Sequence, residues 1–130
     1  SLILPYARAN PQVSVILSGG DFRPSTESFV GPQALEHLDR FNVRYAFIGT
    51  DGFSPMHGLT THHLEGAEVV KRMAAHADET ILLADSSKWR RRGFVGVLPL
   101  TAVAQVISDT SLSDEAAHEM EALGIRVHRV

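Results

Sequence analysis

At 130 residues the chain has the length of one domain, enough to bury roughly two-thirds of its unfolded surface without covalent staples. It has no cysteine, which excludes disulfides, zinc–thiolate sites and cysteine nucleophiles and makes the cytoplasm the expected compartment. A net charge of −3 argues against a nucleic-acid footprint spread over the domain, and no apolar run approaches the roughly 20 residues of a membrane span, so no membrane partner and no export are expected.

Residues 1–10 carry no clear hydrophobic period around Pro5 and read as the tail of a helix. Val13-Ser14-Val15-Ile16-Leu17, rich in β-branched residues and bounded by Asn10-Pro11 and Gly19-Gly20, predicts a strand. The polar stretch 21–30, with Pro24, reads as a loop. Gly31-Pro32 then puts proline at a first helical position, and Ala34, Leu35, Leu38 and Phe41 recur at helical spacing.

A strand is predicted over 44–48, where the apolar run Tyr45-Ala46-Phe47-Ile48 breaks abruptly into Gly49-Thr50-Asp51-Gly52-Phe53. After a loop over 50–61, the apolar residues Ala67, Val70, Met73, Ala74 and Ala77 form one helical stripe, with Glu68, Lys71 and Arg72 off that face. A strand over 80–84 ends in Asp85-Ser86-Ser87-Lys88, and an extended piece over 94–98 and a strand over 105–108 follow. Ser113 caps a last helix with Asp114 and Glu115 in its first turn and Gly124 past its end, and residues 125–130 alternate as an edge strand. This alternation predicts an α/β fold with a mostly parallel sheet and helices on both faces.

Ligands of open α/β sheets bind beyond the carboxyl ends of the strands, which directs attention to Asp51 and to Asp85, Ser86 and Lys88 as two polar strand ends sharing one pocket. Glu68, early in its helix, could be carried toward the same crevice. Asp51, Glu68 and Lys88 together would suit the hydroxyls of a polyol and could move a proton between adjacent carbons. The bland readings are an Asx-turn for Asp51 and an exposed pair of Glu68 with Arg72 at i, i+4.

Seven histidines do not make a metal site, since His62 and His63 are adjacent and no pair shares i, i+4 spacing near them. His63-Leu64-Glu65 matches half of the zinc-deaminase signature, whose cysteine half is absent. Lys88-Trp89-Arg90-Arg91-Arg92 could grip phosphate or stack a base, or be a solvated loop with Trp89 folded onto the core. No Gly-x-Gly-x-x-Gly and no Walker loop occurs, so no nucleotide cofactor is expected.

Six segments, taken in register, resemble a family: Leu17-Ser18-Gly19-Gly20, Val30-Gly31-Pro32, 47–53, Gly58-Leu59-Thr60-Thr61, 84–89 and Ile107-Ser108-Asp109. Together they look like the C-terminal effector-sensing domain of DeoR-family bacterial transcriptional repressors. The resemblance implies a three-layer fold like ribose-5-phosphate isomerase and the CoA transferases, and a non-enzymatic sensor of phosphorylated sugars. By position, Asp51 and Gly52 would contact sugar hydroxyls, Thr60 and Thr61 line the pocket, and Glu68 complete its wall. Lys88, with Asp85 and Ser86, would sit near the phosphate or carbonyl end, and Gly19 and Gly20 would form the neighbouring strand-end turn.

The expectation is a single, N-terminally truncated sensing domain over 1–130, without the family's winged helix-turn-helix and first phosphate loop. DNA would be contacted only through that missing part, in a homo-oligomer. Two readings compete: a sugar-phosphate isomerase using Asp51, Glu68 and Lys88, and an oligomerisation module with a vestigial pocket.

Overall fold

The computed structural model describes residues 3–130. In chain order it comprises α1 (Ile3–Ala9), β1 (Asp21–Arg23), β2 (Ser28–Val30), α2 (Pro32–Leu38), β3 (Val43–Ile48), β4 (Gly52–Ser54), β5 (Gly58–Thr61) and α3 (Leu64–Ala75). It continues through β6 (Ala77–Leu83), β7 (Val95–Leu98), β8 (Gln105–Ser108), α4 (Asp114–Ala122) and β9 (Arg126–Arg129).

The frame is a four-stranded parallel sheet in the order β3-β6-β8-β9, flanked by helices. Parallel neighbours need crossover connections, which α3 supplies between β3 and β6 and α4 between β8 and β9. Alternation along β3 buries Ala46 and Ile48 in the core while Tyr45 and Phe47 stay exposed. Leu82 and Val106, on adjacent central strands, are fully buried and meet Met120 and Ala116 of α4 in the same cluster. The helix α4 is capped by Ser113, whose Oγ accepts from the Ala116 amide at 3.1 Å, and Gly124 follows its end at φ 83.

Several expectations change. Residues 13–17 enter no ladder among the described residues, and Val13, Ile16 and Leu17 remain 50%, 65% and 48% exposed. β-branched residues favour extended backbone, but a strand exists only where another backbone accepts its hydrogen bonds. The presumed loop over 21–30 folds as the antiparallel hairpin β1–β2, with Phe22 and Phe29 paired across it at 5.4 Å between ring centroids. The presumed loop over 50–61 contains β4 and β5, which join β7 in a small antiparallel sheet. β6 begins at Ala77 rather than Thr80, because pairing with Val43 draws Ala77 into the ladder and ends α3 at Ala75.

The cationic run 88–92 divides between core and surface. The Trp89 ring packs edge-on against fully buried Phe53 at 5.2 Å, and Arg90 donates to Glu119 of α4 at 2.6 Å. No helix among the described residues is long and apolar enough to cross a membrane.

Candidate functional site

The chain leaves β3 through Gly49, Thr50 and Asp51, and there a cleft of about 970 Å³ opens. Three walls enclose it: this strand end, residues 62–66 at the start of α3, and the β1–β2 hairpin, which contributes Arg23, Thr26, Ser28 and Phe29. Val69, Val70 and Met73 of α3 and Ile48 of β3 supply an apolar floor. Polar groups converging over an apolar base are what a small polar metabolite requires.

Asp51 anchors the strand end to the helix start. Its Oδ2 accepts from Thr61 Oγ1 at 2.8 Å and from the His62 amide at 2.9 Å, while its own amide donates to the Thr60 carbonyl at 3.0 Å. Burial works to raise the Asp51 pKa. The His62 amide, the Thr61 hydroxyl and the charges of His62 and Lys88 together outweigh it and hold the carboxyl below its ordinary value. The group is therefore an ionised acceptor at neutral pH. Both protein bonds fall on Oδ2, so Oδ1 can take a further donor such as a ligand hydroxyl. The anchoring runs from strand end to the β5–α3 junction and is not the local Asx-turn of the bland reading.

Across the cleft, Arg23 and Glu65 form a two-bond ion pair, Nε donating to Oε2 and Nη2 to Oε1, each at 3.1 Å. It ties β1 to the first turn of α3, where His63 occupies the cap position without a side-chain capping bond.

Of the residues singled out from sequence, Asp51 and Thr61 line the cleft. Thr60 is not in the lining and is only 4% exposed; its hydroxyl donates to the Gly52 carbonyl and accepts from the Gly93 amide at 2.7 Å. Gly52 is buried with its Cα against the Arg91 carbonyl, where a side chain would collide. Gly20, at φ 101, packs under Val30 and Ala34; Gly19 at φ 68 completes that turn, whose neighbour Ser18 reaches the cleft.

Glu68 is exposed and pairs with Lys71 at 2.9 Å, while Arg72 pairs instead with Asp39. The expected Glu68–Arg72 pair is thus replaced by an i, i+3 partner, and Glu68 stays outside the cleft lining. Asp85, Ser86 and Lys88 stand beside the cleft rather than in its lining, in a turn joined to β4 by the Arg90 amide donating to the Phe53 carbonyl at 2.9 Å. Asp85 Oδ1 accepts from the Ser87 amide at 2.9 Å, and the Ser86 amide donates to Asp109 Oδ2 at 2.8 Å. Hydrogen bonds of this kind hold both carboxyls below their ordinary pKa, Ser87 being the leading cause for Asp85 and the Ser86 amide for Asp109.

The isomerase trio Asp51, Glu68 and Lys88 is accordingly not gathered around the cleft. Among the described residues no cluster of three potential metal ligands occurs. Arg23, Glu65 and Asp109 were not assigned from sequence. Arg23 and Glu65 lie 42 positions apart, and no local pattern announces such a pair.

Comparison with known proteins accords with this architecture. The DeoR C terminal sensor domain family matches residues 2–110. The chain is 34% identical over 118 residues to the uncharacterized HTH-type transcriptional regulator YulB of Bacillus subtilis, covering 91% of this chain and 46% of that protein. It is 34% identical over 113 residues to the HTH-type transcriptional regulator GlpR of Haloferax volcanii, covering 87% and 44%. Identity to the HTH-type transcriptional regulator IolR of Bacillus subtilis is 30% over 126 residues, covering 97% and 50%. The chain spans about half the length of these relatives. It belongs to the family of DeoR C-terminal sensor domains.

Proposed function

We propose that the cleft beyond β3 binds a phosphorylated sugar or a closely related metabolite, and that its occupancy controls DNA binding by a transcriptional repressor of which this chain is the sensor. The observation that carries the reading is the ionised Asp51 at the strand end, with an uncommitted carboxylate oxygen, facing a cleft whose opposite wall carries Arg23. A carboxylate orders ligand hydroxyls, and a cation matches a phosphate. Asp51 and Thr61 take the hydroxyl end in this reading. The turn of Asp85, Ser86 and Lys88 flanks the cleft, with the Lys88 charge felt at Asp51.

The regulator works without catalysing a reaction on its effector. A general base needs a pKa near the working pH, whereas the Asp51 carboxyl is shifted downward, and Glu68 is engaged at the surface with Lys71. DNA is contacted by a helix-turn-helix outside these residues, in keeping with the HTH-type names of the relatives. A homo-oligomer matches the symmetry of operator half-sites, and β3 and β9 are the outer strands of the central sheet among the described residues. An effector moves such a regulator between DNA-competent and released forms only by its differential affinity for the two.

Thermal unfolding against ribose 5-phosphate, glucose 6-phosphate, fructose 1-phosphate, N-acetylglucosamine 6-phosphate and glycerol 3-phosphate tests the reading. A compound at about 100 times its Kd adds roughly 2.7 kcal/mol, a rise of several degrees. Turnover of any of them by the purified protein would replace the sensor with an enzyme. A midpoint indifferent to every phosphorylated compound would remove the sugar-phosphate assignment.

A further inference from the structure

Among the described residues Arg23 is the one arginine or lysine that lines the cleft. It is delivered by the β1–β2 hairpin, which forms no ladder with the central sheet. A guanidinium has two edges that can each take an oxyanion through two parallel N–H···O bonds, the side edge of Nε and Nη2 and the end edge of Nη1 and Nη2. Glu65 engages the side edge, Nε donating to Oε2 and Nη2 to Oε1 at 3.1 Å each, with Nη2 also 2.8 Å from Oε2. Nη1 has no protein acceptor among the described residues. The carboxylate of Glu65 therefore fixes the plane of the guanidinium and leaves Nη1, at its end edge, for a second oxyanion.

The other fixed charges in the lining, Asp51 and Glu65, are carboxylates and repel an anion unless a cation stands between them and it. Lys88 does not line the cleft. Arg23 is therefore the cationic side chain that can meet a phosphate there, beside the hydroxyls of Ser18, Ser25, Thr26 and Ser28 and the first turn of α3, which has no side-chain cap.

We propose that Arg23, held in position by Glu65, is the residue by which the cleft distinguishes a phosphorylated ligand from its dephosphorylated form. The proposal rests on the reading of the cleft as a sugar-phosphate site and assigns the phosphate to the hairpin rather than to the Asp85–Lys88 turn. It makes the hairpin part of the recognition surface, with a two-charge strap to α3 that a ligand completes at its open edge.

The test measures binding of the five phosphorylated compounds above, each beside its parent sugar or glycerol, to the wild-type protein and to Arg23→Gln, Arg23→Lys and Lys88→Ala. The Arg23 and Glu65 side chains are each 51% exposed, so the variants keep the core; circular dichroism and cooperative unfolding verify this. For the phosphorylated compound that wild type prefers, Arg23→Gln should weaken binding about 10- to 100-fold and leave the parent sugar unchanged. Arg23→Lys should recover only part, because an ammonium keeps the charge and loses the fork. An undiminished preference in Arg23→Gln, or a preference lost in Lys88→Ala alone, overturns the role of Arg23 while leaving a sugar-phosphate site. If wild type prefers no phosphorylated compound to its parent, the underlying reading fails and the Arg23 assignment falls with it.

Discussion

The structural task of Asp51 depends on its charge. Ionised, it accepts from Thr61 and His62 and so closes the strand end onto α3. Its folded-state pKa lies below the unfolded value, so this contribution is present above the unfolded pKa of about 3.9 and is lost as pH falls through the folded pKa. Asp51→Asn should therefore be less stable than wild type at neutral pH, with the gap closing progressively below about pH 4. Denaturant midpoints for both proteins at a series of pH values measure it, and a gap independent of pH would mean that the charge plays no part. The place of Asp51 at the cleft was legible in sequence because a polar break follows an apolar strand there, whereas that of Thr61 came only through the family resemblance. Arg23 and Glu65 were not, because their meeting depends on where the hairpin lands on α3.

Elements were legible in proportion to their length and to the local signals at their ends. The helix α4 shows this well: Ser113, Asp114 and Glu115 announce its start, Gly124 its stop, and Ala116 and Met120 its buried face. Ser113→Ala removes the acceptor for the Ala116 amide and should cost about 1 kcal/mol. Chemical denaturation reads this directly, with Ser113→Asp expected to restore most of the loss; a neutral Ser113→Ala would show that packing of Met120 alone holds the helix. By contrast β4 and β5, of 3 and 4 residues, are too short for a period of two to register, and glycine opens both. Their strand character comes from mutual pairing and from β7. Residues 13–17 show the converse, a strand-like composition that no neighbouring backbone converts into a ladder.

At the scale of the whole molecule the cleft lies between a rigid and a yielding part. β6 and β8 each have parallel neighbours on both sides, and Leu82 and Val106 at their centres are fully buried, so their amides open only when the sheet does. The hairpin β1–β2 is a separate two-stranded unit, β1 is exposed throughout, and a lone hairpin is marginal in water. Its attachments are Phe29 and Val30 on the inner strand, and the Arg23–Glu65 pair at the surface. Amide hydrogen exchange should therefore be slowest over residues 80–82 and 105–108 and faster by orders of magnitude over 21–30. A sugar phosphate bridging Arg23 and Asp51 would slow the hairpin far more than the sheet, since it adds a contact to the segment that opens on its own. Protection confined to the turn at 85–88 would place the ligand on the other strand end. Equal exchange in the hairpin and β6 without ligand would show that the hairpin is already part of the cooperative core.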